Sequence, residues 1–317
     1  MSTRVYVPCD SSALALGADR VADAVMAEAD RRGADIELIR NGSRGLFWLE
    51  PMVEVETTAG RVSYGPVRAG DVPALFEDGF VDGSAATLYL GRAEEIDYLN
   101  NQERLTNARV GITDPLSLDD YIAHRGYRGL RRALEMQAAE IVQEVTDSGL
   151  RGRGGAGFPT GIKWQTVHDC EAGQKYIACN ADEGDSGTFS DRMIMEGDPF
   201  VLIEGMTIAG LAVGATYGYI YLRVEYPVAH RHLDRAIETA YAAGYLGEDI
   251  LGSGQSFHLE VRLGAGSYVC GEETSMLESL EGKRGQVRAL VVAPTRELAA
   301  QIHESVKQYG ANLPLRS

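Results

Sequence analysis

The sequence predicts an α/β protein built in two parts. Three observations lead there: strand- and helix-period segments succeed one another up to Phe76, strand–helix alternation returns after Leu130, and 317 residues at 44% hydrophobic exceed what one core usually serves. Such alternation implies a sheet with helices packed on it.

Arg4–Pro8 reads as a strand, Leu14–Arg31 as a helix with apolar residues at helical spacing, and Asp35–Ile39 as a second strand. Met52–Glu56 and Arg61–Tyr64 are short β-prone runs forming a hairpin around Thr57 to Gly60, and Val72–Phe76 reads as a closing helix. That order suggests a thioredoxin-like domain over residues 1–85. Patterns weaken from Asp82 to Asp120, where Asn100-Asn101 and Asp114-Pro115 are turn signals, so residues 86–125 are expected to be a linker. Leu130–Val145 is amphipathic, with Leu134, Ala138, Ile141, Val142 and Val145 on one stripe, and it stops at Ser148-Gly149. Strands follow at Lys175–Cys179, Tyr217–Val224 and Phe257–Leu263, with helices at Val201–Val213, Val228–Ala243 and Gly271–Leu280. A Rossmann-like α/β domain is expected over 126–289.

Charge narrows the function classes. With 30 Lys+Arg against 46 Asp+Glu the formal charge is −16, which opposes the counterion release on which nucleic-acid binding depends. No apolar run approaches the roughly 20 residues of a membrane helix, and MSTRVYVPCDSS lacks the apolar segment of a signal peptide, so a cytoplasmic protein without membrane insertion is expected. Cys9, Cys170, Cys179 and Cys270 form no C-x-x-C pair, and neither a disulfide framework nor a zinc ribbon is suggested.

Three segments carry candidate chemistry. In GLRGRGGAGFPTGIKW, residues 149–164, Gly152, Gly154, Gly155, Gly157 and Gly161 crowd around Arg153 and Lys163, a density that lets successive N–H groups converge on an anion. Its G-x-G-x-x-G match at Gly152, Gly154 and Gly157 follows a helix where the dinucleotide fingerprint follows a strand. The segment reads as a phosphate or flavin cradle; the alternative is a flexible surface loop. NADEGDSGTFSDR, residues 180–192, stands at a strand end, where α/β sheets place ligands. Its Asp182, Glu183 and Asp185 can accept from ribityl or ribose hydroxyls. A carboxylate magnesium site and a solvated acidic turn are the alternatives. GAGSYVCGEETSMLESLEG, residues 264–282, again passes from strand to helix, with Tyr268 available for stacking and Glu272 and Glu273 for hydroxyl contacts. Cys270 is a nucleophile candidate without a motif-placed histidine, and the His230-x-His232 pair lacks a third ligand and reads as a solvated helix start.

In this order and spacing the three segments resemble the NADH-binding flavoprotein subunit of respiratory complex I and its relatives, from about Tyr127 to Ala289. The resemblance implies an FMN- and NADH-binding domain. It places FMN on Gly152, Arg153, Gly154, Gly155, Ala156, Lys163, Asn180, Asp182, Tyr268, Gly271 and Glu272, and NADH on Phe158, Glu183, Asp185 and Glu273. The cofactors would carry the hydride, so no catalytic side chain is implied. NGSRGLFWLEPMVEVE resembles the cluster loop of thioredoxin-like 2Fe-2S ferredoxins, with Ser43 and Phe47 at the last cysteine pair and Cys9 alone as a plausible ligand. A cluster-less domain of this kind ahead of the flavoprotein looks most like the diaphorase subunit of NAD-dependent formate dehydrogenase. Complex I and NAD-reducing hydrogenase are the nearest alternatives. The implied partners are NADH and the other subunits of such an assembly, a 2Fe-2S thioredoxin-like subunit and a catalytic subunit.

After Arg288-Ala289 the likeness stops. The resemblance implies a 4Fe-4S domain beyond this point, so that cluster and its metal ligands are expected only in a full-length subunit. Residues 290–317 resemble instead the PTREL strand–helix of DEAD-box RNA helicases, which implies a truncated chimera. A helicase fragment is the alternative from another class, although no G-x-x-x-x-G-K-[ST] loop or DEAD tetrapeptide occurs. A non-catalytic NAD-regulated scaffold is a third.

Overall fold

A computed structural model describes residues 2–85, 87–185 and 187–282. Residues 290–317, expected to be a helicase-like tail, and the end of the expected flavin domain, residues 283–289, lie outside the described residues. The chain divides into two compact units, Met1–Leu277 and Glu278–Ser317, and the architecture below belongs to the first. It is mixed α/β.

The first sheet has the order β2-β1-β3-β4-β5. Its strands are β1 (Thr3–Tyr6), β2 (Ile36–Ile39), β3 (Val53–Thr57), β4 (Gly60–Tyr64) and β5 (Tyr89–Arg92); β2 runs parallel to β1 and the remaining pairings are antiparallel. Val5, Val53, Val55, Val62 and Tyr64 are buried in its core. The single helix expected over Leu14–Arg31 is two, α1 (Ser11–Ala15) and α2 (Ala18–Arg32), because Gly17 at φ 100° turns the chain between them. Val21, Val25 and Ala29 recur every fourth residue of α2 and bury its face against the sheet. Helix α3 (Val72–Glu77) closes the layer.

The segment expected as a linker, 86–125, holds β5 and helices α4 (Asp97–Asn100) and α5 (Leu118–Ala123). Their apolar residues are few and irregularly spaced, which hides them from periodicity, yet Leu99, Val110 and Tyr121 are all buried. The amphipathic stretch 130–145 is likewise two helices, α6 (Arg128–Ala133) and α7 (Ala138–Asp147). They separate where Gln137 starts α7 through a reciprocal capping pair with Glu140.

Helix α8 (Thr160–His168) leads to a parallel sheet of β6 (Tyr176–Ala181), β7 (Tyr217–Leu222) and β8 (His258–Leu263). The crossovers contain α9 (Ser190–Gly197) with α10 (Pro199–Val213), and α11 (Pro227–Ala242); α12 (Glu273–Leu280) follows β8. The register Ala181↔Leu222↔Leu263 makes all three strands end level. Ala181, Ile220, Leu222 and Leu259 share a core with α10 and α11 residues such as Phe200, Ile203 and Leu233. Buried Glu204 of α10 accepts from the Tyr127 and Leu130 amides at 2.8 and 3.0 Å and from the Tyr121 hydroxyl, so three donors meet its carboxyl group.

The two sheets are joined by polar contacts. Ser11 donates from its amide (2.7 Å) and hydroxyl (2.5 Å) to buried Glu196, Arg192 donates to Ser12 Oγ at 3.0 Å, and Arg109 pairs with Asp198 at 2.9 Å. Among the described residues no helix is long and apolar enough to cross a membrane.

Several acids in and beside this joint are protonated more easily than usual. Burial pushes Glu50 up to about 7, Asp10 up to about 6 and Asp198 up to about 7. Each holds a proton in the folded chain at a pH where the unfolded chain has released it. Stability is therefore lost as pH rises from the ordinary carboxylate range through these values. The melting midpoint should fall between about pH 5 and pH 8, and less in Glu50→Gln, which cannot ionise. Comparing the two chains cancels the opposite effect of His232, which burial holds below its ordinary value. Equal falls in both would contradict the assignment.

Candidate functional site

The glycine segment forms a narrow excursion between α7 and α8. Gly152 N–H donates to Phe158 O and Thr160 N–H to Leu150 O, both at 2.9 Å, and Arg151 pairs with Pro159 as an isolated bridge. Between these ties, Gly155 and Gly157 take φ 107° and 59°. A Cβ placed on Gly154, Gly155 or Gly157 would meet nothing within 4 Å, so open space lies beside the loop. Among the described residues the amides of 153–157 enter no hydrogen bond, which leaves them for an anion. Gly152, Arg153, Gly154, Gly155 and Ala156 are exposed, as is Lys163 on α8, whose Nζ stands 5.8 Å from the centre of the Phe158 ring. Gly161 has the opposite character: a Cβ there would come 2.6 Å from Thr146 Cα, so α8 lies against α7 only because this residue is glycine.

The level ends of β6 and β8 bring the other two segments together. Asn180 Nδ2 donates to Gly271 O at 2.8 Å. A Cβ on Gly271 would stand 2.9 Å from Asp182 O, and one on Gly184 would stand 3.1 Å from the Tyr268 ring. Asn180 is the fifth residue of its strand, which runs two residues further than its apolar pattern suggested. Tyr268 is 70% exposed, a ring with one face free for stacking. Glu272 and Glu273 are exposed, and the Ser275 and Thr274 amides hold the Glu272 carboxyl below its ordinary value. No hydrogen bond, ion pair or ring contact joins 152–158 to either acidic segment among the described residues.

The acids of 182–185 divide by burial. Asp185 is exposed, whereas Asp182 is 8% exposed and burial raises its carboxyl despite Arg223 nearby. Glu183 was expected among the NADH contacts, but it is buried. Its Oε1 accepts from Asp191 N–H (3.0 Å) and Ser190 Oγ (3.3 Å), and its Oε2 from Arg192 N–H and Tyr226 Oη, both at 3.1 Å. A carboxylate has about four lone-pair positions, and these contacts take them. Glu183 therefore anchors the start of α9, where negative charge is favoured by the helix dipole.

Two other expectations change. His232 is not solvated: it is 8% exposed and its Nδ1 lies 2.8 Å from Glu196 O. Cys270 is buried in a 3-10 turn, Tyr268–Gly271, ahead of α12 rather than at its first turn. Ser43 and Phe47 are engaged elsewhere, Ser43 Oγ donating to Glu50 at 2.5 Å and Phe47 packing edge-on to Phe189 at 4.8 Å. Cys9 and Cys179 are raised to about 12 by burial, which keeps both as thiols. Among the described residues no group of three or more His, Cys, Asp or Glu side chains is disposed to hold a metal. Sequence reasoning missed Arg223 and Tyr226, although R-V-E-Y-P directly follows a central strand, the position where parallel sheets build sites.

Residues 145–304, half of the chain, match the family described as the Nuo51 FMN-binding domain. The chain belongs to this family. Similar proteins include the NADP-reducing hydrogenase subunit HndC of Solidesulfovibrio fructosivorans, 55% identical over 58% of this chain and 38% of that one. A subunit of the NADH-quinone oxidoreductase of Aquifex aeolicus is 52% identical over 54% of this chain and 40% of its own length, and its Escherichia coli counterpart is 49% identical over 55% and 40%. The chain thus spans less than half the length of these relatives. Among solved structures, an NAD+-reducing [NiFe]-hydrogenase in the H2-reduced state is 27% identical at a TM-score of 0.45, covering 90% of this chain and 47% of that one. A thioredoxin-like [2Fe-2S] ferredoxin from Aquifex aeolicus is 18% identical at 0.27, over 30% of this chain and 96% of that one. FMN is the family's cofactor, and the open glycine excursion with free amides beside two exposed cations fits a flavin phosphate.

The two kinds of glycine can be told apart by mutation. Gly161→Ala should destabilise the chain by about 1–3 kcal/mol through overpacking against Thr146, while Gly154→Ala, facing open space, should change stability by less than about 0.5 kcal/mol. Urea melts check both; equal effects would contradict the packing described.

Proposed function

We propose that the chain is the flavin- and dinucleotide-binding part of an NADH-linked oxidoreductase, a diaphorase subunit. The observation that carries this reading is the junction of Asn180 and Asp182 with Gly271 and Tyr268 at the level ends of parallel strands, the edge where such sheets bind nucleotides. Membership of the FMN-binding family and the names of its relatives support it.

In this reading the Gly152–Ala156 loop, through the free amides of 153–156, holds the phosphate of FMN with Arg153 and Lys163. Asn180, Asp182, Tyr268, Gly271 and Glu272 line its remaining length. Phe158, Asp185 and Glu273 orient NADH, and Glu183 acts from behind the loop. FMN, when bound, supplies the redox chemistry by exchanging a hydride with the nicotinamide. The side chains supply alignment and charge.

The N-terminal sheet is proposed to be a thioredoxin-like domain whose cluster positions have been reassigned to packing. The engagement of Ser43 with Glu50 and of Phe47 with Phe189 supports this. A cluster-less domain ahead of the flavin domain favours an NAD-dependent formate dehydrogenase as the specific parent. That choice implies a cytoplasmic assembly with a catalytic subunit and a 2Fe-2S thioredoxin-like subunit.

Flavin fluorescence should be quenched on titrating FMN with the protein. Lys163→Glu should weaken this by about tenfold or more, because a carboxylate replaces a cation beside a phosphate. Asp185→Ala should weaken NADH and leave FMN nearly unchanged. No quenching by the unaltered chain would refute the flavin assignment. Loss of FMN in Asp185→Ala with none in Lys163→Glu would reverse the roles of the two segments.

A further inference from the structure

Behind the 182–185 loop sits a buried knot outside the set of residues assigned to either ligand. The Tyr226 hydroxyl lies 3.1 Å from Glu183 Oε2 and 3.3 Å from the Glu183 carbonyl oxygen. Arg223 Nη1 donates to that carbonyl at 2.6 Å. Both guanidinium groups that flank the Tyr226 ring, Arg223 at 5.0 Å and Arg192 at 5.8 Å, lie within cation–π range. Arg192 is also a residue of α9, whose first amides Glu183 receives.

Glu183 is thus fixed at its side chain by α9 and at its backbone by Arg223, while the one Tyr226 hydroxyl proton is shared between the Glu183 carboxylate and carbonyl oxygens. Two residues later comes exposed Asp185, the carboxylate proposed to meet the dinucleotide. Gly184 links them, its amide donating to Asp182 O at 3.0 Å, and the Asp185 carbonyl accepts from the Thr188 amide at 3.1 Å. A loop with one end locked enters a complex with less ordering left to do, which shows as affinity.

We infer that Tyr226, together with Arg223, is a positioning residue that presets the 183–185 loop and so controls dinucleotide affinity without touching the ligand. The inference rests on the proposed function. It predicts selectivity: FMN, held chiefly by the glycine excursion, should be little affected. The Tyr226 hydroxyl is available as a donor throughout the working range, since burial and Glu183 raise it to about 12.

The test uses the full chain loaded with FMN and follows anaerobic loss of flavin absorbance against NADH concentration. Tyr226→Phe removes only the hydroxyl, and Arg223→Met removes the second tie at a less buried position. In both, the half-saturating NADH concentration should rise about fivefold to tenfold, as expected for one hydrogen bond, while the limiting rate and the FMN dissociation constant stay within about twofold. Unchanged half-saturation in both variants, with or without a lower melting temperature, would reduce the knot to packing and overturn the inference. An equal loss of FMN and NADH would do the same. Failure of the unaltered chain to bleach with NADH is a separate result, which refutes the functional reading and this inference with it.

Discussion

The site depends on one constraint, the parallel in-register pairing of β6, β7 and β8. Because the three strands end level, everything that follows them emerges along one edge: the acidic loop after Ala181, the Arg223–Tyr226 turn after Leu222, and the Gly264–Gly271 segment after Leu263. Parallel strands need helical crossovers to return the chain to the same end, and α10 serves this by being buried on most of its circumference. The separation in sequence between Asn180 and Gly271 is ninety-one residues, yet level strand ends make them hydrogen-bonding neighbours.

An acidic chain must also dispose of the carboxylates it buries. Glu54 is paired with Arg44, Glu196 receives Ser11, Glu204 receives two backbone amides, and Glu183 receives the start of α9. Each has donors enough to offset the cost of leaving water. Among the acids that remain exposed near the sheet edge are Asp185, Glu225, Glu272 and Glu273. The division separates acids that build the scaffold from acids available to a ligand. It also explains why Glu183 and Asp185, two positions apart, are assigned different work.

Much of this was legible in the sequence. Alternation of period gave the strands and the longer helices to within a few residues, and glycine density marked the excursion at 152–157 because few other residues tolerate its geometry. The breaks at Gly17 and Gln137 were not legible from apolar spacing, which continues across both. Strand β5 was hidden because its four residues, Tyr-Leu-Gly-Arg, carry no alternation. Glu183 looked like its acidic neighbours, since burial is set by α9 and by Tyr226 from a distant turn. The burial of His232 was hidden for the same reason: its partner is a backbone carbonyl on another helix.

The central claim is that one cofactor joins the glycine excursion to the sheet edge, two regions that share no polar or ring contact among the described residues. Amide hydrogen exchange with and without FMN tests it most directly. The account predicts slower exchange on adding FMN at both 153–157 and 268–272, with the first sheet unchanged. Protection confined to one of the two regions, or appearing only in the first sheet, would contradict it.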